Sequence, residues 1–138
     1  MADQFMTVGE IQQLVIDCFM ENGCNTDNAE ALAITISHAE RDGCASHGLF
    51  RMPGYISSLR SGKVDGCATP TVERISPAVV RVDGHGGYAP LALERGRDAL
   101  IEASRENGIA AMALVNLHHF AALWAEVEPI AEAGLVAM

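Results

Sequence analysis

Ser46-His47-Gly48-Leu49-Phe50-Arg51-Met52-Pro53-Gly54-Tyr55 sets a hydroxyl, an imidazole and a guanidinium within six residues of one another. Gly43 precedes the stretch and the helix-like run Tyr55-Ile56-Ser57-Ser58-Leu59-Arg60 follows it. Histidine titrates near neutral pH and serves as an acid or a base. Arginine offers a planar fork that matches a carboxylate with two hydrogen bonds. A serine beside the histidine can orient it, or relay charge to an acid elsewhere. These are the parts needed to give a proton to a small carboxylated molecule while holding its carboxylate. On spacing alone the stretch also reads as an ordinary helix N-terminus, with Ser46 as N-cap, His47 incidental and Arg51 solvated.

Upstream, Thr7-Val8-Gly9-Glu10 has the form of a capping box, and Ile11, Leu14, Val15, Cys18 and Phe19 recur at helical spacing behind it. Asn22-Gly23 ends that helix. A second helix is predicted from Thr26 or Asp27 to Asp42-Gly43, with Ala29, Leu32, Ile36 and Ala39 on one face. A third runs from about Phe50 to Arg60, with Pro53 in its first turn, where a missing N–H is tolerated, and Gly62 closing it. Residues 1–70 are therefore read as a three-helix layer carrying the Ser-His-Gly segment.

Downstream the period changes. Thr71–Ile75 and Val79–Asp83 are β-rich runs joined by Ser76-Pro77-Ala78, a hairpin signal. Pro90 starts a helix that Gly108 ends, with Ala92, Gly96, Ala99 and Ala103 as a small-residue face suited to close contact. Ile109–Val115 reads as a buried strand, and residues 121–133 as a helix that Pro129 breaks or offsets near Glu128. Leu135 opens a further apolar strand at the chain end, which leaves its partner unexplained, so the chain reads as the N-terminal part of a longer enzyme. The alternation of helix and strand makes the class α/β, with 71–138 as the first part of a second domain.

Composition narrows the function. A net charge of −9 argues against sequence-independent nucleic-acid binding, where phosphates demand a basic surface. No apolar stretch reaches the ~18 residues that span a membrane, and the N-terminus lacks a signal peptide's basic start and apolar core. Cys18, Cys24, Cys44 and Cys67 form no Cys-x-x-Cys pair and read as reduced, partly buried thiols of a cytoplasmic protein; no metal site is expected. Asp83-Gly84-x-Gly86-Gly87 fails the spacing of a dinucleotide fingerprint and reads as a structural turn. His38, His85 and His118 are taken as surface or turn residues, and Glu126 and Glu128 as a solvated face.

A second constellation, Asn116-Leu117-His118-His119-Phe120-Ala121-Ala122-Leu123-Trp124, lies between a strand and a helix, where free backbone N–H groups face anions. Phe120 and Trp124 can pack against a flat ring, or can simply be core aromatics beside a polar turn.

Taken in order, Ser-His-Gly-x-x-Arg-x-Pro-x-Tyr, Leu59, Ser61-Gly62, Pro70, Asp83-Gly84 and His119-Phe120 resemble the malate/L-lactate dehydrogenase-like family of NAD(P)-dependent oxidoreductases. The resemblance runs from about Ala39 onward. It implies a non-Rossmann cofactor domain with a mainly antiparallel sheet, joined by later helices of a longer chain. Glu40-Arg41-Asp42-Gly43 and His118-His119-Phe120-Ala121-Ala122-Leu123-Trp124, with alanine at 121 in place of the family's glycine, are similar to its subgroup of Δ1-piperideine-2-carboxylate/Δ1-pyrroline-2-carboxylate reductases. The resemblance implies Ser46 and His47 as catalytic, Arg51 as the substrate anchor, and His119, Phe120, Ala121, Ala122 and Leu123 as cofactor contacts. NADPH is the implied cofactor, with NADH as the alternative, and a cyclic imino acid is the implied substrate. The acid partner of Ser46 would lie beyond Met138. A homodimer is implied, with a complementary C-terminal half as a further partner. A 2-hydroxy acid dehydrogenase of malate, lactate or ureidoglycolate type, or an inactive remnant, stays open as an alternative.

Overall fold

The computed structural model describes residues 5–119 and 122–138. Thr7 is extended and starts α1 (Val8–Glu21) through a closed capping box: its hydroxyl accepts the Glu10 N–H at 3.2 Å, and the Glu10 carboxylate accepts the Thr7 N–H at 2.7 Å. Asn25, whose side chain accepts the Asn28 N–H, starts α2 (Thr26–Arg41). The predicted faces are the buried ones. Ile11, Val15 and Phe19 meet Ala29, Leu32, Ala33 and Ile36, with Tyr55 and Tyr88 closing the cluster. Phe19, Tyr55 and Tyr88 pack edge-on or tilted, with centroids 5.7–6.3 Å apart, and the Tyr88 hydroxyl donates to the Tyr55 carbonyl at 2.8 Å.

The third helix is shorter than its sequence pattern. α3 spans Met52–Arg60, and two 3₁₀ turns, Ala45–His47 and Leu49–Arg51, precede it. The break falls at Gly48, where the Glu40 side chain presses against the backbone and accepts the Leu49 N–H at 2.7 Å.

β1 (Thr71–Ser76) and β2 (Val79–Asp83) form the expected hairpin, antiparallel from Thr71↔Asp83 to Ser76↔Val79. α4 (Ala89–Asn107) then carries the chain over the sheet, and β3 (Ala111–Val115) returns parallel to β2. Within this chain the sheet is therefore mixed, in the order β1-β2-β3. The small-residue face of α4 does lie on the sheet: Ala92, Ala99 and Ala103 pack with Val80 and Val82, and a Cβ at Gly96 would come within 2.5 Å of Val82 Cγ2 and Met112 Sδ.

Three expectations fail here. β3 is not fully buried, because α4 covers one face only: Met112 and Leu114 pack toward it while Ala111 and Ala113 stay exposed. Pro129 does not break α5 (Leu123–Glu132). The helix forgoes one N–H bond and touches both α2 and α4, around a cleft of about 370 Å³ that Pro129 lines with Ala31, Ile34 and Pro90. Residues 135–138 form no regular element, in contrast to the predicted strand. Among the described residues, no helix is long and apolar enough to cross a membrane.

Candidate active site

Glu40, Arg41 and Asp42 end α2, and Gly43 then turns the chain with φ at 71°, a left-handed value that a side chain would resist. The turn delivers Ser46 and His47 to a 3₁₀ segment at the protein surface. The Ser46 hydroxyl lies 3.1 Å from His47 Nδ1, and the Cys44 thiol approaches the same nitrogen at 4.0 Å. When the Ser46 O–H donates to Nδ1, the neutral ring carries its proton on Nε2, the nitrogen that faces away from the backbone tether. The Ser46 carbonyl meanwhile accepts the Arg51 Nε–H at 2.7 Å. One serine thus holds both the imidazole and the guanidinium, and among the described residues the two terminal amino groups of Arg51 have no partner, so their donors are open to a carboxylate.

Tyr55 extends the constellation. It sits one helical turn beyond Arg51, and although burial pushes its hydroxyl up, the Arg51 charge acts in the opposite sense. The His119 ring meets the Tyr55 ring at 4.8 Å, and its backbone φ of 58° is left-handed. His118 packs on Tyr88 at 6.1 Å, with its imidazole held below the usual range by burial, then by His119 and Lys63. The loop between β3 and α5 is zipped to the turn before α4: the Gly86 N–H donates to the Asn116 carbonyl at 2.7 Å, and the His118 N–H to the Gly87 carbonyl at 2.8 Å. The Asp83–Gly87 segment is thus a turn that organises the strand ends. The Asp83 carboxyl is lowered by the His85 N–H and then the Asn116 amide.

α5 closes the other side. Trp124 lies edge-on to His47, with centroids 5.7 Å apart, and its indole N–H donates to the Asp42 carboxylate at 3.0 Å. Asp42 is also gripped by Arg41 through bonds of 2.7 and 3.1 Å, which with the Trp124 N–H hold its carboxyl at about 2. Glu128, expected on a solvated face, pairs with Arg41 at 3.5 Å and approaches His38 at 4.0 Å. Glu126, expected beside it there, instead buries one carboxylate oxygen that has no partner among the described residues, and burial raises its carboxyl.

Of the residues singled out in the sequence, Ser46, His47 and Arg51 come together directly, and His119 packs on Tyr55, one helical turn beyond Arg51. Ala122 is buried, Leu123 is exposed, and Phe120 and Ala121 lie outside the described residues. His47 and Arg51 are each half-buried, while Ser46 between them and the turn is exposed. Sequence reading put Asp42 at a helix end and Tyr55 inside the next helix, and gave neither a part in the site. The spacing of Tyr55 one turn from Arg51 was the available signal for one; nothing local announces a bond from residue 42 to residue 124.

The malate/L-lactate dehydrogenase family model matches residues 6–138. The chain belongs to this family. It is 51% identical over 129 residues to a Δ1-pyrroline-2-carboxylate/Δ1-piperideine-2-carboxylate reductase of Pseudomonas putida, a match covering 94% of this chain and 38% of the relative. It is 48% identical over 132 residues to a Δ1-pyrroline-2-carboxylate reductase of Ancylobacter novellus, covering 96% and 39%. Among solved structures, the Δ1-piperideine-2-carboxylate reductase of Pseudomonas syringae pv. tomato superposes with a TM-score of 0.92 at 45% identity, covering 96% of this chain and 40% of that one. A malate dehydrogenase of Pyrococcus horikoshii, at 22% identity and a TM-score of 0.84, shares the fold. The chain spans about 40% of the length of these relatives.

Proposed function

We propose that this family member works in the reduction of cyclic imino acids of the Δ1-piperideine-2-carboxylate and Δ1-pyrroline-2-carboxylate type, and that the present chain supplies the proton donor and the carboxylate anchor. The observation that carries the reading is the double hold of Ser46 on His47 and Arg51. It sets an acid and an anion-binding fork side by side, as a flat ring bearing a carboxylate next to a C=N bond requires.

Arg51 grips the carboxylate and sets which face of the ring is offered. His47, oriented by Ser46, gives a proton to the ring nitrogen, or keeps it protonated, so that negative charge does not build there. A nicotinamide cofactor, when bound, supplies the hydride to the carbon of the C=N bond. The residues fit such a cofactor in one respect. Ala122, the N-cap of α5, offers no side-chain acceptor; its carbonyl takes the Ala125 N–H at 3.0 Å, and the Leu123 and Trp124 N–H groups before it are the ones suited to an external anion. NADPH is the proposed donor, and the homodimer implied by the sequence resemblance remains part of the proposal. The relatives' substrates favour this reading over a 2-hydroxy acid dehydrogenase, in which His47 would act as base on the hydroxyl.

The test is steady-state reduction of both imino acids by the protein as the cell produces it, with NADPH and NADH in parallel and with malate and lactate oxidation as controls. His47→Ala should lower kcat by about 10²–10⁴. Undiminished turnover would remove His47 as proton donor, and oxidation of malate or lactate in preference to imine reduction would reverse the substrate assignment.

A further inference from the structure

We propose that Glu40 is the positioning residue of this site: from the last turn of α2 its carboxylate fixes the step in the chain between His47 and Arg51. The inference rests on the functional reading above and assigns the device that holds its two side chains in register.

Leu49 opens the 3₁₀ turn Leu49–Arg51, and its N-cap, Gly48, has no side chain with which to cap it. The N–H left over is taken by Glu40 Oε1 at 2.7 Å, a charge-assisted bond across nine residues of sequence. Gly48 is buried, and a Cβ there would overlap the Glu40 carboxylate, so the glycine of Ser-His-Gly is the space that Glu40 occupies. The grip falls between the two functional side chains. On one side of it the Ser46 hydroxyl holds His47; on the other, Arg51 reaches back to the Ser46 carbonyl. Releasing Leu49 lets the segment shift, and a misplacement of about 1 Å can cost of order 10²-fold in rate.

The test compares Glu40→Ala and Glu40→Gln in the protein as the cell produces it, by imine reduction and by amide hydrogen exchange at Leu49. In Glu40→Ala, kcat/KM should fall at least about tenfold, ~1.4 kcal/mol. The loss should be divided between a lower kcat, through His47, and a higher KM, through Arg51. In Glu40→Gln the amide oxygen still accepts the Leu49 N–H, and kcat/KM should stay within about threefold of the parent. A merely structural role would reduce the amount of folded protein and leave KM unchanged, and that result overturns the proposal. Equal losses in both variants, or parental kinetics in Glu40→Ala, also overturn it. If the parent reduces no imino acid, the functional reading has failed, and exchange at Leu49 decides the placement alone. About tenfold faster exchange in Glu40→Ala sustains it, and unchanged exchange refutes it.

Discussion

The ring of His47 meets the indole of Trp124 edge-on, with centroids 5.7 Å apart and planes at 77°. The contact joins the loop after α2 to the first turn of α5. Asp42 reinforces it, because it takes the Trp124 N–H while standing in the turn that leads to His47.

Replacing Trp124 should therefore act on His47 from a distance in sequence. Trp124→Phe keeps a ring edge but loses the N–H bond, a net ~0.5–1.5 kcal/mol. Trp124→Ala also loses the aromatic pair, ~0.5–1.5 kcal/mol more. Imine reduction should fall about three- to tenfold in the first and further in the second, mainly in kcat. Equal, parental kcat values in both would show that the ring contact does nothing for His47.

Acid should release the same link. Asp42 is held at about 2 by Arg41 first and by Trp124 next, against ~3.9 in an unfolded chain. Because its folded value is depressed, its contribution is present above about pH 4 and is lost as pH falls through about 2. Trp124 is the only tryptophan of the chain. Its fluorescence should show a step between about pH 4 and 2 that Asp42→Asn removes. A step of the same size in Asp42→Asn would place the titration elsewhere.

Arg51→Lys should raise KM for the imino acid by about tenfold or more with a smaller effect on kcat. Lysine carries the charge but lacks both the fork for a carboxylate and the Nε–H that bonds the Ser46 carbonyl. A Michaelis–Menten comparison decides it, and unchanged kinetics would remove the anchor.

Glu126 buries an oxygen without a partner, and burial raises its carboxyl. A raised folded value means that the protonated form suits the fold, so stability is fully present below the unfolded value of ~4.3 and is lost as pH rises through the folded one. Glu126→Gln should raise the melting temperature at pH 7 but not at pH 4. The gain should stay below about 1 kcal/mol, since residual solvent contact screens the charge. Equal melting temperatures at pH 7 would contradict it.

Gly96→Ala should destabilise the protein by about 1–3 kcal/mol in a denaturant titration. The new methyl would lie 2.5 Å from Val82 Cγ2 and Met112 Sδ, and Val82 is fully buried. A neutral result would mean that Met112 and Val82 move aside without cost.

Local signals were read correctly where the physics is local. Thr7 and Glu10 cap one another over three residues, Ala29, Leu32 and Ile36 share a helix face by periodicity, and the small face of α4 announced close packing before any partner was known. The errors came where a distant element decides. Pro129 forecast a break, but α5, which touches α2 and α4, runs on through it. The apolar run of β3 forecast burial, but only one face meets a helix.

The sequence by itself determined α1, α2 and α4, the hairpin, the family and the proximity of Ser46, His47 and Arg51, because caps, periodicity and a ten-residue motif act over a turn or two of chain. Tertiary structure alone decided that Trp124 leans on His47, that Glu40 reaches over Gly48 to Leu49, and that His119 packs on Tyr55. Those contacts depend on where α2, α3 and α5 come to rest once their apolar faces are buried, and side chains far apart in sequence meet only after that packing has fixed their distances.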